Sequence, residues 1–99
     1  MRHAQKTRTL GRPTGQRTAL LRGLMVSLIR DGQILTTKAK AKAVQPLMER
    51  LITMAKRDTL SARRIVAARL GNPSDATIKT LFSDIAPRFS ERNGGYTRV

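Results

Sequence analysis

The sequence predicts an α+β protein, with a compact body of about four helices and a small sheet at residues 14–99, preceded by a basic extended N-terminal arm at residues 1–13. In four stretches of the body, apolar residues recur at intervals of three and four, the spacing of helices with one buried face. Two short segments with β-branched residues, Gln33–Thr37 and Tyr96–Val99, follow glycines, which is typical of strands. Residues 1–13 contain one large apolar residue after Met1 and no periodicity, so we expect them to be disordered in isolation.

The first helix is predicted to begin at Thr14, which can cap it, and to end at Asp31-Gly32. Arg17 lies near the edge of its apolar stripe, whereas Arg22 and Arg30 project away from it. The stripe consists of Leu20, Leu21, Leu24, Met25, Leu28 and Ile29.

A strand at Gln33–Thr37 is predicted to lead into a second helix from Lys38 to about Arg57, capped by Thr37. Pro46 lies inside this helix and is expected to kink it, or to delay its regular part until after Gln45. The residues expected to face inward are Ala41, Val44, Met48, Leu51, Ile52 and Ala55.

The third helix is predicted to begin at Thr59 or Ser61 and to run through Leu70, before Gly71-Asn72-Pro73. Its expected inner face is Leu60, Ile65, Val66, Ala68 and part of Ala67, with Arg63, Arg64 and Arg69 in solvent. The fourth helix is predicted from Ser74 or Asp75 to about Ala86, ended by Pro87. Its inward residues are Ile78, Leu81, Phe82 and Ile85.

Positive charge dominates the chain and indicates the kind of partner. The net charge is +14 at pH 7, from 20 Lys and Arg against six Asp and Glu, whereas solubility rarely needs more than ~8 in a small domain. Arginines outnumber lysines fourteen to six, which favours bidentate contacts with phosphates. The first thirty residues contain seven of these cations and no acid. We therefore expect a nucleic-acid partner, on which the arm becomes ordered.

Membrane binding, secretion and catalysis find little support in the sequence. The chain lacks Trp and Cys and has no apolar run near the ~20 residues of a spanning helix. No apolar segment follows Met1, so we expect no secretory signal, and the absence of cysteine is compatible with a reducing cytoplasm. His3 is the only histidine, and the six acids are scattered without acid–base pairing. We expect no enzyme activity, metal, cofactor or small-molecule substrate.

Four features admit two interpretations each. Lys38, Lys40 and Lys42 form either a solvated helix start or a phosphate site, and we favour the phosphate site because cations oppose the dipole at a helix N-terminus. The same argument applies to Arg63-Arg64. Gly94-Gly95-Tyr96 is either a turn with a core tyrosine, which we favour, or a site where Tyr96 stacks on a base. His3 either contacts a phosphate or base or has no role.

Several segments together resemble the family of the seventeenth protein of the bacterial large ribosomal subunit. The resemblance covers residues 1–99, and its most specific part is the ending Gly-Gly-Tyr-Thr-Arg in register with the opening. The segments are Met1-Arg2-His3, the basic arm, Leu35-Thr36-Thr37 followed by Lys-Ala-Lys, Leu51-Ile52-Thr53-Met54-Ala55-Lys56, Arg63-Arg64, Pro87-Arg88-Phe89 and Arg92-Asn93-Gly94-Gly95-Tyr96-Thr97-Arg98.

The resemblance implies a structural ribosomal protein that binds large-subunit ribosomal RNA near the exit end of the nascent-peptide tunnel, beside neighbouring large-subunit proteins. The residues expected to contact RNA are Arg2, His3, Lys6, Arg8, Arg12, Arg17, Arg22, Lys38, Lys42, Arg63, Arg64, Arg88 and Arg92. The alternative is a small DNA-binding or nucleoid protein, with residues 61–70 and 74–86 as a helix-turn-helix.

Family members usually continue beyond Tyr-Thr-Arg through another strand or two, whereas this sequence ends at Val99. Either it is a shortened member whose sheet edge is covered by a neighbour or RNA, or residues beyond Val99 are missing from the sequence. We expect Tyr96–Val99 to pair alongside Gln33–Thr37.

Overall fold

The computed structural model describes residues 14–99, which form an all-helical body. The arm predicted for residues 1–13 lies outside the described residues. The elements in chain order are α1 (Thr14–Asp31), α2 (Lys38–Ala55), α3 (Leu60–Arg69), α4 (Asp75–Thr80), a π-helical turn (Leu81–Ile85) and α5 (Ala86–Arg88).

The first two predicted helices are confirmed. Helix α1 ends at Asp31, and Gly32 follows with φ of 81°, a left-handed conformation that glycine adopts without steric cost. Helix α2 begins directly after its cap Thr37 and continues across Pro46, so the proline does not delay it. Five of its six predicted inward residues are buried, and the sixth, Ala41, is half-buried.

One apolar core joins the helices. The α1 stripe contributes Met25 and Ile29 as buried residues, and Leu21, Leu24 and Leu28 pack against them. The other buried members come from α2, α3, the π-helical turn, α5 and the C-terminal segment: Val44, Met48, Leu51, Ile52, Ala55, Val66, Leu70, Leu81, Phe82, Ala86 and Tyr96.

The expected α+β class is wrong, because residues 14–99 contain no strand and therefore no sheet. Residues 33–37 and 95–99 are irregular. The backbone amides of Tyr96 and Thr97, which a strand would use for pairing, donate instead to the two Glu49 carboxylate oxygens at 3.1 and 2.6 Å. The Thr97 carbonyl accepts a hydrogen bond from Gln45 Nε2 at 3.3 Å. Side chains of α2 thus take the place of a partner strand, since a two-stranded sheet alone is marginal.

The limits of α3 agree with the prediction, but three of the five residues expected on its inner face are exposed. Thr59 caps the helix and accepts a hydrogen bond from the Ala62 amide at 3.0 Å. Leu60 and Ile65, expected inside, are 64% and 43% exposed, and Ala68 is also exposed. The buried row is instead Ala62, Val66 and Leu70, spaced by four residues. The small side chain of Ala62 lets α3 pack close to the core. The prediction had placed the larger Leu60 and Ile65 inside because they are more hydrophobic.

Pro87 does not end the fourth helix as predicted, because α5 continues through it to Arg88. Ser74 caps α4 at its expected start, and the Ala86 amide donates to the Leu81 carbonyl, five residues back. In an uninterrupted α-helix the Pro87 ring would collide with the carbonyl four residues earlier. We attribute the tolerance of proline to the extra residue in the π-helical turn, which shifts that carbonyl.

Candidate nucleic-acid interface

The N-terminus of α2 brings three lysines together with the first backbone amides of the helix. Thr37 accepts a hydrogen bond from the Lys40 amide at 3.3 Å, and the first turn contains no acid. Lys38 and Lys42 are exposed, whereas Lys40 is half-buried. Cations here oppose the helix dipole, so an anion that contacts both the lysines and the amides would relieve the repulsion.

The adjacent arginines of α3 differ in their surroundings. Arg63 contacts Asp58 Oδ1 at 2.7 Å, and its guanidinium lies 5.1 Å from the centre of the Phe82 ring. Arg64 is exposed, and its side chain has no ion-pair or hydrogen-bond partner among residues 14–99. Of this predicted pair, Arg64 is therefore the side chain that is free to bind a phosphate without giving up another contact.

Arg22 connects α1 to the end of α3. Its Nε donates to the Arg69 carbonyl at 3.3 Å. A Cβ atom on Gly71 would stand 3.2 Å from Arg22 Cδ, so the arginine lies against this turn. A cation at a helix C-terminus is favourable. Arg22 therefore has a structural contact in addition to its predicted role, while the half-buried Arg17 stays near the edge of the α1 stripe, as expected.

Besides Arg63, two exposed arginines form ion pairs with nearby acids. Arg88 contacts both Asp84 carboxylate oxygens, at 2.9 and 3.0 Å, within one helical turn. Arg30 contacts Asp31 at 3.0 Å, and this hydrogen bond lowers the pKa of the Asp31 carboxyl. Arg92 is exposed with no side-chain partner among residues 14–99, although its carbonyl accepts from Lys56 Nζ. The Arg88–Asp84 and Arg30–Asp31 pairs are exposed, so solvent screens them and they contribute little to stability.

Tyr96 is a core residue, as we favoured, and is 9% exposed. Its ring lies 5.3 Å from the ring of Phe89, and Lys56 Nζ lies 5.1 Å from its centre. Its hydroxyl accepts from Thr53 and Lys56 at 3.3 and 3.2 Å, and these hydrogen bonds lower the pKa of the phenol. These contacts leave no free ring face for a base to stack on.

A cavity of about 370 Å³ is lined by three arginines that were not among the predicted contact residues: Arg50, Arg57 and Arg69. All three are exposed and, within the described residues, their side chains have no ion-pair or hydrogen-bond partner. Arg50 and Arg57 are seven residues apart, two helical turns, which is a signal the sequence does contain. The approach of Arg69 from the end of α3 depends on the tertiary fold.

Glu49 lies in the wall of the same cavity. Burial acts to raise the pKa of its carboxyl. Hydrogen bonds from the Thr97 hydroxyl and from the amides of Tyr96, Thr97 and Gly95 act in the other direction and dominate, so the pKa is lowered. The carboxylate is therefore ionised at neutral pH and fastens the C-terminal segment to α2.

Other kinds of site find no support in the part of the chain that is described. No three His, Cys, Asp or Glu side chains there are arranged to hold a metal ion. None of the helices described is both long and apolar enough to cross a membrane. Five predicted contact residues, Arg2, His3, Lys6, Arg8 and Arg12, lie outside the described residues.

Comparison with known proteins identifies the family of this chain. Residues 20–99 match the profile of the family described as ribosomal protein L17. The large ribosomal subunit protein bL17 of Persephonella marina is 52% identical over 99 residues, which is 100% of this chain and 79% of that protein. The protein of the same name from Thermodesulfovibrio yellowstonii is 54% identical, over 100% of this chain and 73% of its own length. The chain therefore belongs to the ribosomal protein L17 family, and it is a structural ribosomal protein rather than an enzyme.

Proposed function

We propose that the chain is a structural constituent of the large ribosomal subunit in the cytoplasm, where it binds 23S-type ribosomal RNA and supports translation near the exit end of the tunnel. The observation that carries RNA binding is the net charge of +14 in a chain of this family. The position near the tunnel exit rests on the family resemblance. Neighbouring large-subunit proteins are its further partners.

The body binds RNA through two kinds of cationic side chain: those without an ion-pair partner, and those whose exposed ion pair can be broken at little cost. Lys38, Lys42 and Arg64 are exposed and have no ion-pair partner among residues 14–99. Arg63 and Arg88 contact exposed carboxylates, and exchanging such a pair for a phosphate contact gives up only about 0–1 kcal/mol. The basic arm, residues 1–13, adds Arg2, His3, Lys6, Arg8 and Arg12 to the same partner.

Recognition is expected to depend on RNA shape and phosphates more than on base identity. Double-helical RNA hides its base edges in a deep groove, and the one tyrosine is committed to the core. The DNA-binding alternative is not supported, because α4 has only six residues before the π-helical turn and its single basic residue is Lys79. A recognition helix of that kind would read few bases.

Co-sedimentation tests the proposal directly. The tagged chain is expected to stay in the large-subunit peak of a sucrose gradient after a high-salt wash. Recovery with nucleoid DNA, or loss from all particles, would refute the ribosomal assignment. Removing residues 1–13 should weaken RNA binding but leave the helical circular dichroism spectrum of the body intact; loss of that spectrum would make the arm part of the core.

A further inference from the structure

An open cavity lies between α2 and the end of α3. Arg50, Thr53, Met54 and Arg57 line it from one face of α2 and the turn that follows, at intervals of three and four residues. Arg69 reaches it from the last residue of α3. Its volume of about 370 Å³ lies within the ~300–1,000 Å³ range of ligand pockets.

Charge at this cavity is strongly positive. Three arginines line it and have no side-chain partner among residues 14–99, in contrast to Arg30, Arg63 and Arg88, which each have a carboxylate. The one acid in its wall is Glu49, whose two oxygens already accept hydrogen bonds from Tyr96 and Thr97. Arginine at a helix C-terminus is common because it complements the dipole. That explanation covers Arg69 but not Arg50, which lies inside α2.

The chemistry of the lining selects a phosphodiester backbone over a stacked base. Guanidinium groups match the oxygens of a phosphate in a bidentate manner. The ring of Tyr96 in the cavity wall is covered by Phe89 and Lys56, so no aromatic face is open to a base. A Cβ atom on Gly94 would have no heavy atom within 4 Å, so this rim is open to a polymer strand that passes across it.

We propose that Arg50, Arg57 and Arg69 form a phosphate-binding cleft that holds a backbone segment of ribosomal RNA. This inference rests on the proposed function and adds a site to it. Three arginines that line one cavity suit a place where the RNA strand brings neighbouring phosphates together.

Salt-dependent binding to protein-free 23S ribosomal RNA tests the cleft. The triple variant R50Q/R57Q/R69Q removes its charge, while R30Q/K79Q/R98Q removes the same charge from outside it. The measured quantity is the salt slope, the steepness with which the logarithm of the binding constant falls as the logarithm of the salt concentration rises. Each lost phosphate contact lowers this slope by roughly one. We expect the cleft variant to lower the slope by about two to three and the affinity by roughly 100-fold, since charge-assisted hydrogen bonds are lost. The control should lower the slope by less than about one.

Equal losses in the two triple variants would overturn the cleft, because the arginines would then act only as diffuse charge. Failure of the unmodified protein to bind the RNA would refute the proposed function itself. The cleft variant should keep its melting temperature, since glutamine is a good helix former and the side chains of Arg50, Arg57 and Arg69 have no ion-pair or hydrogen-bond partner among residues 14–99. The control gives up one exposed ion pair, Arg30 with Asp31, which contributes little to stability because solvent screens it. If the triple variant does not fold, two single variants make the same comparison, with R57Q for the cleft and K79Q as its control.

A tethered probe gives an independent result in the assembled particle. The chain has no cysteine, so Asn93→Cys introduces a single thiol beside Gly94 at the cavity rim. An iron chelate attached to that thiol is then the only one on the protein. Hydroxyl radicals from that chelate should cut ribosomal RNA in assembled large subunits, and the protein without cysteine should give no cuts. An intact RNA strand with Asn93→Cys would overturn the proposal.

Discussion

Replacing Glu49 by glutamine tests whether one α2 side chain holds the C-terminal segment. Glu49 accepts hydrogen bonds from the Tyr96 amide at 3.1 Å, the Thr97 amide at 2.6 Å and the Thr97 hydroxyl at 2.5 Å. Glutamine keeps one acceptor oxygen but places an NH₂ donor against the remaining donors. At least one backbone amide therefore loses its partner.

The size of the loss follows from these contacts. Hydrogen bonds to a charged group contribute about 1.5–3 kcal/mol each. Glu49 is half-buried, so water compensates part of the loss, and we expect the free energy of unfolding to fall by about 2 kcal/mol. For a domain of this size, that corresponds to a decrease in Tm of roughly 8–16 °C.

Urea and thermal unfolding followed by circular dichroism measure this change. Glu91→Gln is the matched control, because Glu91 is exposed and has no partner among residues 14–99. It should change the free energy of unfolding by less than about 0.5 kcal/mol. A Glu49 variant as stable as this control would show that the C-terminal segment is held by other contacts, and the explanation for the missing sheet would fail with it.

The pH dependence of the same difference has a defined sign. Since the pKa of Glu49 is lowered in the folded state, the unfolded chain binds more protons in acid. The contribution of Glu49 is complete above the ordinary glutamate pKa of ~4.3 and is lost as the pH falls through the folded pKa. The stability gap between the unmodified protein and Glu49→Gln should therefore narrow below about pH 4. A gap that stayed constant would contradict this account.

Five further substitutions test packing, backbone conformation and binding. Leu81→Ala removes a side chain with 0% exposure and should cost roughly 2–5 kcal/mol in urea unfolding, whereas Leu35→Ala, at a fully exposed position, should cost less than about 0.5. Gly23→Ala, in the middle of α1 with open space around its Cβ, should stabilise by about 0.4–1 kcal/mol; Gly32→Ala should destabilise by a similar amount because φ is 81°. Arg64→Gln should lower RNA affinity in filter binding without changing Tm, and a Tm change would indicate an internal contact.

The sequence predicted the helices well because their signals are local. The Thr37, Thr59 and Ser74 caps and the turn at Gly32 depend on neighbours within a few residues. The sheet was predicted wrongly because β-branched composition does not show which donors a distant side chain will take. Glu49 and Tyr96 are 47 residues apart, so their hydrogen bond has no local signature.

For the candidate interface too, the sequence indicates some residues, whereas others become apparent only from tertiary contacts. Exposed cations such as Lys38 and Arg64 could be chosen from charge and helical spacing. The ion pair of Arg63 with Asp58 and the contact of Arg22 with α3 required the fold. The arginines at positions 50, 57 and 69 were overlooked because no single sequence window contains all three.

The scarcity of internal ion pairs has a consequence for the life of the free protein. Residues 14–99 contain three such pairs, so most of the positive charge of the body repels itself. Because salt screens that repulsion, added KCl should raise the Tm of the unbound chain while it weakens RNA binding. In the proposed function, RNA would supply the negative charge that the body lacks, and its binding would stabilise the bound chain by mass action. Surplus copies that miss a ribosome are then the least stable form, and they should be degraded faster than assembled ones.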